Sequence, residues 1–206
     1  MNALDGATER ILTVADVDRA QPLVVEAGWN QLPADWRLML EAGHAFGIED
    51  ATGALIATAL ALPLGERLSW ISMVLVATKF RRQGLGSRLL RRCVEHIEGA
   101  GRLAGLDATD LGRPVYLSLG FRDVYRLQRL ILQARVFAPV CAPPEITIVP
   151  LHEGTALEEV IAWDREISGL DRGPILRNLL ERMPNCAWVA YDEGELAGYI
   201  LSLIHI

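Results

Sequence analysis

The sequence has few of the residues that build metal sites and disulfide frameworks. Among 206 residues there are three cysteines and four histidines. Cys93, Cys141 and Cys186 lie far apart in the chain, and the histidines show no ligand spacing. Such sites are recognised by numerous or closely spaced cysteines. The sequence therefore favours neither, and we predict that the protein binds no metal.

A signal peptide and a membrane-spanning run are also missing from the pattern. The first residues are acidic and lack the cationic-then-apolar order of an export signal. The longest uncharged apolar run, residues 54–64, is much shorter than the roughly 20 residues needed to cross a bilayer. We therefore expect a cytoplasmic protein with no membrane partner, present as a monomer or weak homodimer.

Lysine is nearly absent, and the excess charge is negative. The net charge is −6, and Lys79 is the one lysine among 20 cationic residues. Residues 1–132 carry 15 basic and 15 acidic side chains, whereas residues 133–206 carry 5 and 11. This balance leaves no extended positive surface of the kind that nucleic-acid binding requires. We predict no nucleic-acid partner.

Hydrophobic periodicity predicts an α/β protein built from two similar blocks. In the first block we expect strands at 9–13, 44–49, 54–64, 68–76, 103–107 and 121–132, and helices at 14–28, 34–42, 85–98 and 112–119, with Thr13 as the cap of the first helix. In the second block we expect strands at 146–149, 187–191 and 195–201, and helices at 156–167 and 174–182. The second block repeats the strand–helix–helix–hairpin order of the first, which indicates an internal repeat.

The repeat and a proline-containing segment suggest the domain boundaries. We predict a domain over 1–132, a linker over 133–145 and an incomplete second copy over 146–206. The second copy ends after its hairpin, so we expect the natural protein to be longer. Residues 201–206 resemble the translation of a sequencing-library adapter, which predicts that they are read-through and that His205 has no function.

A loop rich in arginine and glycine connects the predicted strand 68–76 to an amphipathic helix. It contains Arg81, Arg82, Gly84 and Gly86. The first N–H groups of a helix lack partners and carry partial positive charge, so this arrangement favours a bound phosphate. The dinucleotide pattern GxGxxG and the phosphate loop GxxxxGK[ST] are both missing from it.

This loop and a later block together resemble the GNAT superfamily of acetyl-CoA-dependent N-acetyltransferases. Arg81, Gly84 and Gly86 match the family's pyrophosphate loop, and Tyr116 followed by Gly120-Phe121 matches its later block. The resemblance implies a mixed, mostly antiparallel sheet in which strands 68–76 and 103–107 splay apart. It also implies acetyl-CoA as cosubstrate, with a partial GNAT-like copy following the first domain.

The resemblance further implies the residues of the cofactor site. The pantetheine arm would bind the backbone of strand 68–76, and an N–H near Val74 would polarise the thioester carbonyl. Tyr116 occupies the position of the general acid. Thr109 stands where many relatives have asparagine. The implied cofactor-binding residues are Met73, Val74, Val76, Arg81, Arg82, Gln83, Gly84, Leu85, Gly86, Ser87 and Thr109.

The acceptor site and the general base are less sharply indicated. Trp29, Asn30 and Trp36 lie in the segment that roofs the acceptor pocket in the family, although both tryptophans also suit a packing role. The candidates for the base are His44, Glu41 and Asp107, the two acids acting through water. Cys93 belongs to the apolar stripe of helix 85–98, so we expect an inert thiol and no covalent mechanism.

Two functions from different classes follow. The first is transfer of an acetyl group from acetyl-CoA to a primary amine of a small molecule, by direct attack in a ternary complex. The second is a non-catalytic module that binds or senses acyl-CoA through the same loop. The presence of both the loop and Tyr116 favours the first.

Overall fold

The computed structural model describes residues 6–128 and 143–201, and the contacts within the chain divide these into two compact units. The first unit comprises residues 6–107 and 164–178. The second comprises residues 108–128, 143–163 and 179–201. The predicted domain boundaries at 132 and 146 lie outside or at the edge of the described residues and stay predictions, as does the origin of residues 201–206, of which Leu201 alone is described.

The first block forms five strands and four helices close to the predicted bounds. The strands are β1 (Thr8–Leu12), β2 (His44–Glu49), β3 (Leu55–Pro63), β4 (Leu68–Val76) and β5 (Leu103–Leu106). The helices are α1 (Val17–Glu26), α2 (Pro33–Ala42), α3 (Leu85–Gly99) and α4 (Arg113–Ser118). Proline begins α2, where the missing N–H costs no helix bond.

The five strands form one mixed sheet in the order β1-β2-β3-β4-β5. The first four strands pair antiparallel, β2–β3 and β3–β4 through short turns and β1–β2 across a connection that contains α1 and α2, and β4 pairs parallel with β5. The crossover from β4 to β5 contains α3, which is the usual way to join parallel strands. The predicted mixed, mostly antiparallel sheet is confirmed.

Side chains of successive strand residues pack on opposite faces of this sheet. Ala45 belongs to a core cluster with Val24 and Trp36, which are side chains of α1 and α2. Its neighbour Phe46 lies on the other face, where His96 and Arg92 of α3 contact its ring. Both faces of the sheet are therefore covered, which explains why β3 is a continuous apolar run rather than an alternating one.

An ion-pair network closes one corner of the sheet. Arg10 of β1 donates to both Asp16 and Glu49, and Arg19 of α1 donates to the same two carboxylates. Asp16 is buried, and its hydrogen bond from Arg10 lowers the pKa of that carboxyl far below its usual range. Because the buried charge is paired, it does not carry the penalty of an isolated one.

The second block repeats the same order of elements. Its strands are β6 (Ile146–Pro150), β7 (Ala187–Asp192) and β8 (Glu195–Leu201), and they form an antiparallel sheet in the order β6-β7-β8. The helices α5 (Thr155–Ser168) and α6 (Gly173–Arg182) lie between β6 and β7 in the chain. No helix in the described parts of the chain is long and apolar enough to span a membrane.

One predicted element is wrong over the residues that the structure describes. We expected a long strand at 121–132, but residues 121–128 form no regular structure, and residues 129–132 are outside the described part. The apolar side chains that suggested a strand are exposed, Val124 by 87% and Leu127 by 64%. Without a neighbouring strand or a covering helix, apolar alternation alone does not stabilise a strand.

Candidate functional site

The pairing between β4 and β5 ends halfway along β4. The last paired residues are Ile71 and Leu106, whereas β4 continues to Val76. Among the described residues, the second half of β4 therefore has no strand partner on the β5 side. β5 itself ends at Leu106, so this half of β4 offers backbone that an extended ligand could bind as an added strand, in the region where we predicted the splay.

The half of β4 that β5 does not pair with contains a β-bulge in its pairing with β3. Thr58 pairs with Leu75 and Leu60 pairs with Ser72, so the single residue Ala59 faces both Met73 and Val74. Met73 has a φ of 53°, which is the left-handed region that residues with a side chain rarely adopt.

The carbonyl groups around the bulge already accept hydrogen bonds. The Met73 carbonyl accepts one from Thr58 Oγ1 at 2.8 Å, and the Val76 carbonyl accepts one from Arg81 Nε at 3.0 Å. Two carbonyls of the predicted pantetheine site are thus held in place by the protein itself.

The loop after β4 turns through two residues with left-handed backbone. Arg82 has a φ of 60° and Gly84 a φ of 81°. Gly84 directly precedes the first residue of α3, and no atom lies within 4 Å of the position that a Cβ on it would occupy. The backbone at Gly84 is therefore open to close approach by a ligand, and its conformation suits glycine.

The first turn of α3 presents N–H groups without acceptors. Within the described residues, the N–H groups of Leu85, Gly86 and Ser87 have no hydrogen-bond partner. A Cβ on Gly86 would lie 3.5 Å from Val76 Cγ2, so the helix start packs closely on the end of β4. The geometry fits a pyrophosphate next to the unpaired half of β4, because unpaired donors and the helix dipole both favour an anion there.

Positive charge at this loop is less extensive than the number of cations suggests. Arg81 and Arg82 are exposed beside the helix start. Lys79 stacks over the Phe80 ring at 4.7 Å. Arg88, however, donates to Glu9 at 2.7 Å, so its charge is largely neutralised.

Tyr116 lies in the second unit, on α4. It is half-buried, and desolvation raises the pKa of its hydroxyl above the ordinary value of 10. A Cβ on Gly112 would lie 2.8 Å from the Tyr116 hydroxyl, so glycine at 112 gives the hydroxyl its space. Sequence reasoning missed this role of Gly112; the signal was a glycine four residues before the tyrosine, which is one helical turn.

Thr109 stabilises the turn before α4. Its hydroxyl accepts the Gly112 N–H at 3.2 Å, and its carbonyl accepts the Arg113 N–H at 2.9 Å. The side chain at the position of the family's asparagine is thus engaged with its own chain. Binding of the cofactor by Thr109 stays a prediction.

The predicted acceptor residues lie in different environments. Trp36 is fully buried in the core cluster, and its ring N–H has no partner among the described residues. Trp29 packs partly buried against the same cluster, and Asn30 is exposed. The burial of Trp36 favours the packing alternative for that residue. Near these residues, a surface groove of about 490 Å³ on α1 is lined by Asp18, Gln21, Pro22, Val25, Glu26 and Pro33, none of which the sequence singled out.

The structure separates the three candidates for the general base. The His44 ring lies 4.3 Å from that of His96, which is in the last turns of α3, far from the helix start. Glu41 is exposed on α2. Asp107 directly follows Leu106, the residue at which the β4–β5 pairing ends. Of the three, Asp107 is the one next to the end of the β4–β5 pairing.

Two expectations about nucleophiles and metals can be compared with the structure. Cys93 is fully buried, and burial raises the pKa of its thiol to about 12, so it is inert as predicted. Among the described residues, no three His, Cys, Asp or Glu side chains form a group that could hold a metal ion.

Comparison with known proteins identifies the family. The model of the "Acetyltransferase (GNAT) family" matches residues 12–121, which is more than half of the chain. The chain belongs to the GNAT acetyltransferase family. The match spans β4, the loop, α3 and α4, so the features described above are those of a GNAT domain.

The matches to curated GNAT relatives each cover only part of the relative. The N-acetyltransferase YitH of Bacillus subtilis is 26% identical over 179 residues, which is 86% of this chain and 62% of that protein. The aminoglycoside 2′-N-acetyltransferase of Mycolicibacterium fortuitum is 31% identical over 127 residues, 55% of this chain and 64% of that protein. The chain thus spans less than two thirds of the length of both relatives.

Solved structures agree on the GNAT fold. A protein from Pyrococcus horikoshii, described as an acetyltransferase, has a TM-score of 0.68 at 19% identity, with 94% of this chain and 66% of that one covered. A Clostridium acetobutylicum acetyltransferase solved with acetyl-CoA has a TM-score of 0.50 at 21% identity, with 61% and 96% covered. At these identities the likeness concerns the fold.

Proposed function

We propose that this chain transfers an acetyl group from acetyl-CoA to a primary amine of a small molecule, by direct attack of the amine in a ternary complex. The observation that carries the proposal is the combination of an unpaired, bulged half of β4 with a donor-rich helix start beside it. In a GNAT domain these features serve one ligand that is extended at one end and anionic at the other. Acetyl-CoA has this chemistry, and it supplies the activated thioester.

The loop and the start of α3 would hold the diphosphate. The N–H groups of Leu85, Gly86 and Ser87 donate to its oxygens, and Arg82 adds a charge-assisted bond. Gly84 allows the phosphate to approach the backbone. These interactions supply binding energy remote from the reacting atoms, which an enzyme can use to fix the geometry of the reaction.

The bulge would hold the reacting carbonyl. The Val74 N–H donates to the carbonyl oxygen as negative charge develops on it during attack, which is an oxyanion-hole interaction. The amine attacks in its neutral form, and Asp107 accepts through water the proton that the nitrogen loses as the amide bond forms. The position of Asp107 directly after Leu106, where the β4–β5 pairing ends, supports this role.

Tyr116 would protonate the departing thiolate. Its hydroxyl is protonated at neutral pH already at the ordinary pKa of about 10, and desolvation raises the pKa of Tyr116 further. A donor of this kind matches the basicity of a thiolate well enough to share a proton with it in the transition state. The reaction balances, since the amine loses one proton and the thiolate gains one.

The acceptor is proposed as a class and is tested as one. The relative from Mycolicibacterium fortuitum is named for acetylation of aminoglycosides, so aminoglycosides join polyamines and amino acids in the panel. Release of free thiol from acetyl-CoA is measured with each amine, and binding of acetyl-CoA is measured by calorimetry. Amine-dependent thiol release supports the enzyme. Tight binding without release from any amine identifies the sensing module instead, and no binding removes both.

A further inference from the structure

The hydroxyl of Thr58 is buried and makes one directed contact with the β4 bulge. Thr58 is on β3, is 0% exposed, and donates through Oγ1 to the Met73 carbonyl at 2.8 Å. Its register partner is Leu75, so this bond is additional to the strand ladder. A threonine at a position surrounded by apolar strand residues is costly to bury unless its hydroxyl is used.

The carbonyl that Thr58 binds belongs to the strained residue of the bulge. Met73 has a φ of 53°, and its side chain is buried in the core. A left-handed conformation at a residue with a side chain persists only where the surroundings hold it. Two contacts do so here, the packed Met73 side chain and the hydrogen bond from Thr58.

The same bond fixes the direction of the next N–H. In a trans peptide the carbonyl and the N–H of one unit point in opposite directions, and the described residues contain no cis peptide bond. The Met73 carbonyl points at Thr58, so the Val74 N–H of that peptide points away from Thr58 and therefore away from β3. The opposite side of β4 is the side of β5, whose pairing with β4 has already ended at Ile71.

We propose that Thr58 is a positioning residue for acetyl transfer: its hydroxyl anchors the Met73 carbonyl and thereby aims the Val74 N–H at the thioester carbonyl oxygen. The inference rests on the function proposed above. It goes beyond that function because Thr58 acts from the neighbouring strand, inside the sheet, without touching a ligand. Loss of the hydroxyl leaves the Met73–Val74 peptide free to rotate.

The test compares side chains that differ by the hydroxyl. Thr58→Ser keeps the donor, whereas Thr58→Ala and Thr58→Val remove it, and Val also keeps the branched shape. Ile56→Val is the matched control, since it deletes one methyl from a buried residue two positions earlier on the same strand. Each variant is checked for folding by circular dichroism and then assayed with the best amine of the panel.

Two readouts separate positioning from a structural role. We expect kcat to fall about tenfold or more in Thr58→Val and Thr58→Ala. The KM for the amine should change little in both, and kcat should recover in Thr58→Ser. We also expect the difference in calorimetric affinity between acetyl-CoA and CoA to shrink in Thr58→Val and Thr58→Ala and to persist in Thr58→Ser, because CoA lacks the carbonyl that the Val74 N–H binds. The Ile56→Val control keeps both properties.

The possible failures are distinguishable. If the parent protein neither binds acetyl-CoA nor releases thiol, the proposed function is wrong and the inference falls with it. A second outcome is an active parent protein whose folded Thr58→Ala and Thr58→Ser variants show equal kcat and equal preference for acetyl-CoA. In that case the positioning role of Thr58 alone is overturned. If Thr58→Val does not fold, the comparison of Thr58→Ser with Thr58→Ala tests the positioning role.

Discussion

The two blocks of the chain have the same order of elements but different coverage of their sheets. Phe46 of β2 and Trp188 of β7 correspond when the segments His44–Glu49 and 186–191 are superimposed in sequence. Phe46 is 4% exposed, with α3 side chains on its ring, whereas Trp188 is 41% exposed. Ile148 and Ile200 share a face with Trp188 and are also exposed, by 52% and 57%.

This difference shows what the strand–helix–helix–hairpin unit does and does not supply. In both blocks it builds three antiparallel strands with one well-buried face, where Val189 is 1% exposed and Ala45 equally so. In the first block the elements that follow the hairpin cover the second face and also carry the bulge and the loop. The unit is therefore a scaffold, and the proposed chemistry resides in β4, α3 and α4.

The largest expected effect tests the coverage itself. Phe46→Ala should lower the free energy of unfolding by about 3–5 kcal/mol, because the ring is enclosed and its removal leaves a cavity. Trp188→Ala should cost less than half as much, since much of that ring is already in contact with water. Urea denaturation followed by circular dichroism measures both. Equal losses would mean that the exposed face of β7 is covered in solution.

The next effect concerns α4, which has no counterpart among the described residues of the second block. Tyr116→Phe should reduce turnover by about 100-fold or more, because the ring stays and the proton donor is lost. The affinity for acetyl-CoA should barely change. Tyr125→Phe, an exposed tyrosine outside regular structure, is the control. A turnover within twofold of the parent in Tyr116→Phe shows that the thiolate departs without this acid.

Gly112→Ala should move the same hydroxyl without deleting it. The new Cβ would lie within 3 Å of three Tyr116 atoms, so the ring must shift. We expect turnover to fall about tenfold, while α4 itself is not destabilised because Gly112 has an ordinary φ of −81°. Gly198→Ala is the comparison in the second block, where a Cβ has open space. Unchanged turnover in Gly112→Ala would show that catalysis does not depend on the position of the Tyr116 hydroxyl.

Two glycines with the same backbone test the loop against a plain hairpin turn. Gly84 and Gly53 both have a φ of 81° and open space for a Cβ. Gly84→Val should weaken acetyl-CoA binding several-fold or more, because the branched side chain obstructs the phosphate and strains the loop. Gly53→Val carries similar strain in the β2–β3 turn and should leave affinity unchanged. Calorimetry on the folded variants measures both, and equal affinities would remove the assignment of the loop.

The smallest effect is a pH dependence of stability in the α3-covered block. Burial, then the neighbouring His44, Arg92 and Arg102, lower the pKa of His96 below its ordinary value of 6.5. The unfolded chain then takes up the proton at a higher pH than the folded one. Stability is therefore complete above about pH 6.5 and decreases as the pH falls from there towards the folded pKa.

Replacement of His96 should flatten this dependence. In His96→Asn the slope of unfolding free energy against pH, between about 6.5 and 5, should decrease relative to the parent. His152→Asn removes an exposed histidine from the second block and should leave the slope as it was. Urea midpoints at several pH values give the slopes. The idea fails if both variants behave alike.

Much of the fold was predictable because hydrophobic periodicity follows burial directly. The stripe of α3 gave the helix its bounds and its buried face, with Leu89, Cys93 and Ile97 fully buried as expected. The lack of a strand at 121–128 was not predictable in the same way, since alternation indicates a strand only where a neighbour pairs with it. The Arg–Gly loop was recognisable because its glycine and its charges are needed locally.

The sequence by itself determined the order of the elements, the α/β class, the glycine-containing loop before α3 and the buried Cys93, because each depends on local spacing or on the apolar character of single positions. Tertiary structure alone decided that Trp36 is enclosed in the core, that Glu9 neutralises Arg88, and that Gly112 makes room for Tyr116. It also decided that Thr58 holds the Met73 carbonyl across the sheet. These four features depend on contacts between residues that the register of the sheet or the packing of a helix brings together. A local sequence pattern does not encode which of these residues come into contact.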